Sequence, residues 1–201
     1  MLLQQISGVM FHQQNIWKTI RERRYTIQEC YTHVLVWLCA IPPVSFFIGT
    51  TQVGWSVGTG SYVKLTTDSA FMIAVVFYIA LLVGVAFIAN VIHWMEKTYG
   101  AQSDLAHCMV LATCTATPLL LAGITGLWPM LWFVVGVGLI ALAYTVYILY
   151  SGVPELMNIP ADRGFMFSTS ILTVGMVVLV SMLASTVVLW DLGISPTFVS
   201  G

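Results

Sequence analysis

The chain has 201 residues, 59% hydrophobic and only 7% charged, against about 25% charged in soluble domains. Seven Lys and Arg and eight Asp and Glu cannot cover a soluble surface of this length, so the chain reads as an all-α polytopic membrane protein. A net charge of −1 lacks the basic footprint of a nucleic-acid binder, and no nucleic-acid partner is expected.

Residues 1–29 are amphipathic: Leu2, Leu3, Ile6, Val9, Met10, Ile16, Trp17 and Ile20 recur at three-to-four spacing. Lys18, Arg21, Arg23 and Arg24 stand beside that stripe. An apolar stripe carrying Trp17 and flanked by cations reads as a helix in the interface of an anionic leaflet, with Trp17, Lys18, Arg21, Arg23 and Arg24 at the membrane surface. The alternative is a helix packed on a neighbouring subunit or on a loop of the same chain. No basic n-region and small-residue cleavage site precede it, so insertion through the first span is expected.

Five apolar runs come next, at 34–49, 69–95, 105–127, 130–150 and 168–190. About 20 helical residues cross the hydrocarbon core, so the last four suffice. The first is short if Pro42-Pro43 ends it and adequate if they only kink it. The expected fold is a bundle of five transmembrane helices over residues 30–191, preceded by the amphipathic helix and ending in a short tail, 192–201. Asp68-Ser69, Ser103-Asp104 and Ser168 are expected to cap the second, third and fifth spans. The link Trp128-Pro129 forces the third and fourth spans into a tight antiparallel hairpin.

The loop from Thr50 to Asp68 alternates apolar and polar residues around Gly58-Thr59-Gly60, the pattern of a small β-hairpin, with an unstructured loop as the alternative. The segment from Ser151 to Phe167 holds Pro154, Pro160 and Gly164 and is expected to run along the inner interface as a loop. With the N-terminus inside, Lys18, Arg21, Arg23, Arg24, Lys97 and Arg163 fall on the inner side and Lys64 alone on the outer. The positive-inside rule therefore predicts a cytoplasmic N-terminus and a periplasmic C-terminus.

No Lys, Arg, Asp or Glu lies at mid-depth, which argues against an ion-coupled pump but not against a passive pore. Thr113 and Thr117 share a helix face before Pro118, which leaves the Cys114 carbonyl without its usual partner. Nearby hydroxyls can re-satisfy that backbone. The functional alternative is a kinked pathway marked by Pro42, Pro43, Thr113, Thr117 and Pro118. Small residues four apart, such as Ala80 and Gly84 or Ser181 and Ser185, favour close helix approach within one bundle or between copies.

One constellation has ligand chemistry. His33, His93, His107 and Cys108 are expected at similar depth near the inner edge, with Cys30, Glu29, Glu96 and Asp104 at the same level. Imidazole and thiolate suit a transition metal such as zinc. The plainer account is that histidines and acids gather where water begins. No GxSxG, Walker loop, GxGxxG or HExxH occurs, and no enzymatic activity is expected.

The basic Trp-containing stretch, Ala40-Ile41-Pro42-Pro43, His107-Cys108, the run Ala112-Thr113-Cys114-Thr115-Ala116-Thr117-Pro118-Leu119-Leu120 and Tyr150-Ser151-Gly152-Val153-Pro154 accompany the five-span layout. Together they resemble the Yip family (Ypt/Rab-interacting membrane proteins) in its bacterial branch, over residues 15–190. The resemblance implies the five-span fold, a bacterial inner-membrane location and a role in membrane organisation or trafficking. The eukaryotic branch's Asp-Leu-Tyr-Gly-Pro segment is absent, and Cys114 and Thr115 stand where its Gly-Tyr pair is sought, so no GTPase partner carries over. The expected activity is association with lipid, with further copies and with membrane or cytoplasmic proteins. A channel or passive permease is the alternative.

Overall fold

The computed structural model describes residues 13–23, 26–55, 63–101, 103–191 and 196–199. The stripe positions before Gln13, Arg24 and the Gly58-Thr59-Gly60 turn lie outside the described residues. An amphipathic helix, α1 (Gln13–Glu22), precedes five helices long and apolar enough to span a membrane. These are α2 (Ile27–Val53), α3 (Thr67–Tyr99), α4 (Leu105–Leu127), α5 (Leu131–Met157) and α6 (Ala161–Asp191). The chain is an all-α polytopic membrane protein.

Pro42 and Pro43 do not end α2. Its α-helical centre, Val36–Ile48, runs through both prolines, and π-helical turns flank it at Tyr31–Leu35 and Gly49–Val53. Each π-turn closes its hydrogen bonds one residue further along the chain than an α-turn and so widens the helix locally. Thr26 starts α2 with a capping box, its hydroxyl accepting from the Glu29 amide and the Glu29 carboxylate accepting from the Thr26 amide, each at 3.3 Å.

Helix α4 lies at the centre. Most of its side chains from Cys108 to Leu120 are buried, and it packs against α2, α3 and α5. Its last turn tightens to a 3-10 helix over Gly123–Leu127 before the link to α5, giving the expected hairpin. There α2 and α4 approach backbone to backbone: a Cβ on Gly123 would sit 2.5 Å from Pro42 Cγ, and one on Gly126 would sit 3.1 Å from the Phe46 nitrogen. The small residues here are what allow contact, as in other lipid-embedded helix pairs.

The expected loop between the fourth and fifth spans is a correction. Helix α5 continues to Met157, seven residues past Tyr150, and α6 begins at Ala161, leaving only Asn158, Ile159 and Pro160 as a turn. Pro154 sits in the last turn of α5, where a missing N–H breaks little. Asn158 closes the helix in the left-handed region at φ 51°. Ser168 is therefore no cap; it lies buried inside α6. The second span likewise begins earlier than expected, at Thr67, so Asp68 and Ser69 lie in its first turn rather than cap it, and Asp104 stands at the N-cap of α4 without a side-chain capping hydrogen bond.

The two ends of the bundle differ. In α5 and α6 the buried residues, among them Ile148, Val153, Leu156, Phe167 and Ile171, lie toward the end that holds α1, apart from Ala141 near the middle of α5. Among the described side chains, none before Ala141 in α5 and none after Ile171 in α6 is buried. At that far end Trp55 pairs with Val63 in an antiparallel bridge, the one described part of the expected hairpin, and Leu65 pairs with Phe198 of the tail. The tail is held further by the Thr197 amide donating to Ser69 Oγ at 3.2 Å. Helix α1 and the tail thus occupy opposite ends of the bundle.

Candidate functional site

The chemistry gathers at the α1 end. Helix α1 rests on the last turns of α5: Trp17 is 1% exposed, and a Cβ on Gly152 would lie 2.7 Å from its ring. Glycine leaves the flat seat that the indole fills. Ile20, one turn on, is buried with it. Arg21 reaches past the end of α5, its Nη1 donating to the Glu155 carbonyl at 3.1 Å and to Asn158 Oδ1 at 2.9 Å. A guanidinium at a helix C-terminus meets both the orphan carbonyls and the negative end of the dipole. Of the residues assigned to the membrane surface, Trp17 therefore faces protein and Arg21 is engaged at α5, while Lys18 and Arg23 are exposed. Replacing Arg21 by methionine should weaken α1 docking by about 1–2 kcal/mol; limited trypsinolysis at Lys18 would report it as a cut about 5- to 30-fold faster.

The turn between α3 and α4 forms the second wall. Gly100 ends α3 in the left-handed region at φ 76°, and the Ala101 amide returns to the Glu96 carbonyl at 3.0 Å. This reversal puts the last turn of α3 beside the first turn of α4. His93 and Glu96, three residues apart, share one helix face, and Cys108 comes to them from α4. The three ligand atoms lie within 4.8 Å of one another. Glu96 is 4% exposed and Cys108 fully buried. One Glu96 oxygen lies 3.1 Å from His93 Nδ1. The other accepts from Ser103 Oγ at 2.6 Å, from the Ser103 amide at 3.3 Å and from Cys108 Sγ at 3.8 Å.

Of the four residues selected as ligands from the sequence, the fold brings His93 and Cys108 together. His33 is exposed on α2 with Nδ1 3.1 Å from Thr32 Oγ1, outside the group. His107 lines an adjoining cavity of about 750 Å³ with Arg21, Glu96, Lys97, Ser103 and Asp104, and its buried Nε2 has no hydrogen-bond partner. Sequence reasoning puts Glu96 at the right depth but not among the ligands; its i, i+3 spacing from His93 is the signal that marks it. Glu29 is taken up by the α2 cap.

The residues of the sequence-derived pathway are placed differently. Pro42, Pro43, Thr113, Thr117 and Pro118 are all buried where α2 meets α4. Thr113, Thr115 and Thr117 donate to the carbonyls of Met109, Leu111 and Thr113. Each hydroxyl has one proton, so none of the three re-satisfies the Cys114 carbonyl, contrary to the expectation for Pro118.

The Yip1 domain model matches residues 7–182. The chain belongs to the Yip1 domain family. Among relatives, the inner membrane protein YohC of Escherichia coli (strain K12) is 43% identical over 186 residues, covering 92% of this chain and 95% of YohC. YohC of a second Escherichia coli strain, O6:H1, matches to the same extent. No solved structure matches the chain. The family match takes in the docked helix α1, all three residues of the His93–Glu96–Cys108 group and most of α6.

Proposed function

We propose that this chain is a non-enzymatic protein of the bacterial inner membrane that acts by association, with lipid, with a second copy of itself and with protein partners, in membrane organisation. The location draws on the YohC relatives, which are named as inner membrane proteins. The orientation, with α1 cytoplasmic and the tail periplasmic, rests on the Lys and Arg distribution.

The observation that carries this reading is the unburied far half of α5 and α6. Leu131, Trp132, Phe133, Leu139 and Ile140 on α5 and Met176, Val180, Leu183 and Val187 on α6 are exposed. A Cβ on Gly136, Gly138 or Gly175 would meet nothing within 4 Å. Lipid solvates such a surface, but open glycines also let a second backbone approach closely. A second copy is the occupant this reading favours there. At the other end, exposed Lys18 offers charge to an anionic leaflet.

A passive pathway along α4 has less support, because its hydroxyls are buried against α2 and spent on the backbone. Flux through reconstituted liposomes separates the two. Vesicles carrying the protein should release potassium or a small neutral solute no faster than empty vesicles. Release several-fold above that background, lowered by Thr113→Val or Thr117→Val, would replace association with a pore.

A further inference from the structure

We propose that His93, Glu96 and Cys108 form a zinc site at the α1 end of the bundle, with a fourth position open to the adjoining cavity. Three observations point there. The donor set is an imidazole nitrogen, a carboxylate oxygen and a sulfur, the ligand types of zinc. Their atoms converge from two helices to within 4.8 Å. And His93 Nδ1 lies 3.1 Å from a Glu96 oxygen without the alignment of a hydrogen bond.

The last point is geometric. His93 Nδ1 lies 3.1 Å from a Glu96 oxygen and is buried, yet it has no hydrogen-bond partner. The ring nitrogen and the carboxylate are close but out of line for a shared proton. Two ligands bound tetrahedrally to zinc at 2.0–2.1 Å stand about 3.3 Å apart, close to the separation found. A sulfur and an oxygen on the same ion stand about 3.5 Å apart, and Cys108 Sγ lies 3.8 Å from the other oxygen of Glu96, the one that also accepts from Ser103. The three ligand atoms, within 4.8 Å of one another, would close inward around the ion.

Charge points the same way. A carboxylate as enclosed as Glu96 is stabilised by a cation, and His93, 3.1 Å away, is one only when protonated. Lys97 is its neighbour in sequence but is exposed, and Arg21 is turned to Glu155 and Asn158. Ser103 steadies the second Glu96 oxygen and contacts Cys108 Sγ at 3.4 Å, the kind of outer partner that orients ligands around a metal. Three protein ligands leave the fourth place to water from the cavity that Glu96 and Ser103 line. Such an open position is the form of a site that exchanges its metal or acts on it rather than one that merely staples the fold.

The test uses the full-length protein in detergent, incubated with zinc chloride, desalted and measured for bound metal, with cobalt chloride as a spectroscopic substitute. The expected result is one zinc per chain and, with cobalt, a thiolate-to-metal absorption band. Cys108→Ser should abolish that band, and Glu96→Gln and His93→Ala should weaken zinc binding by more than about tenfold each. His33→Ala should leave zinc and the band unchanged, which separates loss of a ligand from general damage. A wild-type protein that retains no stoichiometric zinc overturns the proposal, as does a cobalt band that survives Cys108→Ser.

Discussion

Replacing Gly49 by leucine should destabilise the bundle by about 3 kcal/mol or more, measured as resistance to unfolding in mixed micelles. A Cβ there would overlap the carbonyl oxygen of Gly126 and lie 3.0 and 3.2 Å from the carbonyl carbons of Gly126 and Leu127. All three atoms belong to backbone, so no side chain can swing away. The strain falls on the junction of α2 with the last turn of α4, where Gly123 also lies close against Pro42. Within lipid, water does not drive helices together, and loss of packing is not offset. Gly84→Ala is the control, because a Cβ there meets only Met182 Sδ, at 3.7 Å. Equal loss of stability in the two variants would contradict the close α2–α4 contact.

Trp17→Ala should release α1 from the bundle without unfolding the spans. An indole 1% exposed, seated on Gly152, makes a contact whose removal costs about 3–5 kcal/mol. Gly152→Leu blocks the same seat from the other helix, its Cβ already 2.7 Å from the ring. Trypsin acting at Lys18, Arg21 and Arg23 reads the undocked population, and a change of about 3 kcal/mol raises it about a hundredfold while reclosing outpaces cleavage. Both variants should be cut faster by that order. Glu22→Ala, on the exposed side, should not. Unchanged cleavage in Trp17→Ala and Gly152→Leu would mean that the indole is not what holds the helix.

The same contact shows how far the sequence could be read. Periodicity places Trp17, Ile20 and the cations correctly along a helix. An apolar stripe, however, has the same pattern whether it meets lipid or a neighbouring helix, and nothing local to residues 13–22 identifies Gly152 as its seat. The five spans are legible because length and hydropathy alone define them. Their ends are less so. Pro154 reads as a breaker, but the burial of Val153, Leu156 and Met157 carries α5 past it. The true start of α6 has its own signal, Pro160 and then Asp162 in the first turn.

Pairing of the tail with the first loop joins Leu65 to Phe198, a contact that no spacing along the chain announces. The metal-ligand types are legible by depth, as residues at one end of neighbouring spans must share a level. Their convergence is not, because it depends on how Gly100 turns the chain and on the rotation of α4. That rotation brings in Cys108 and directs His107, its neighbour, to the cavity instead.

The claim of association at the far half of α5 and α6 is tested most directly by co-expressing two copies of the chain with different tags. After extraction in mild detergent, one tag is captured and the other is measured. The second copy should be recovered well above a control in which separately expressed copies are mixed after extraction. Recovery no higher than that control would contradict it.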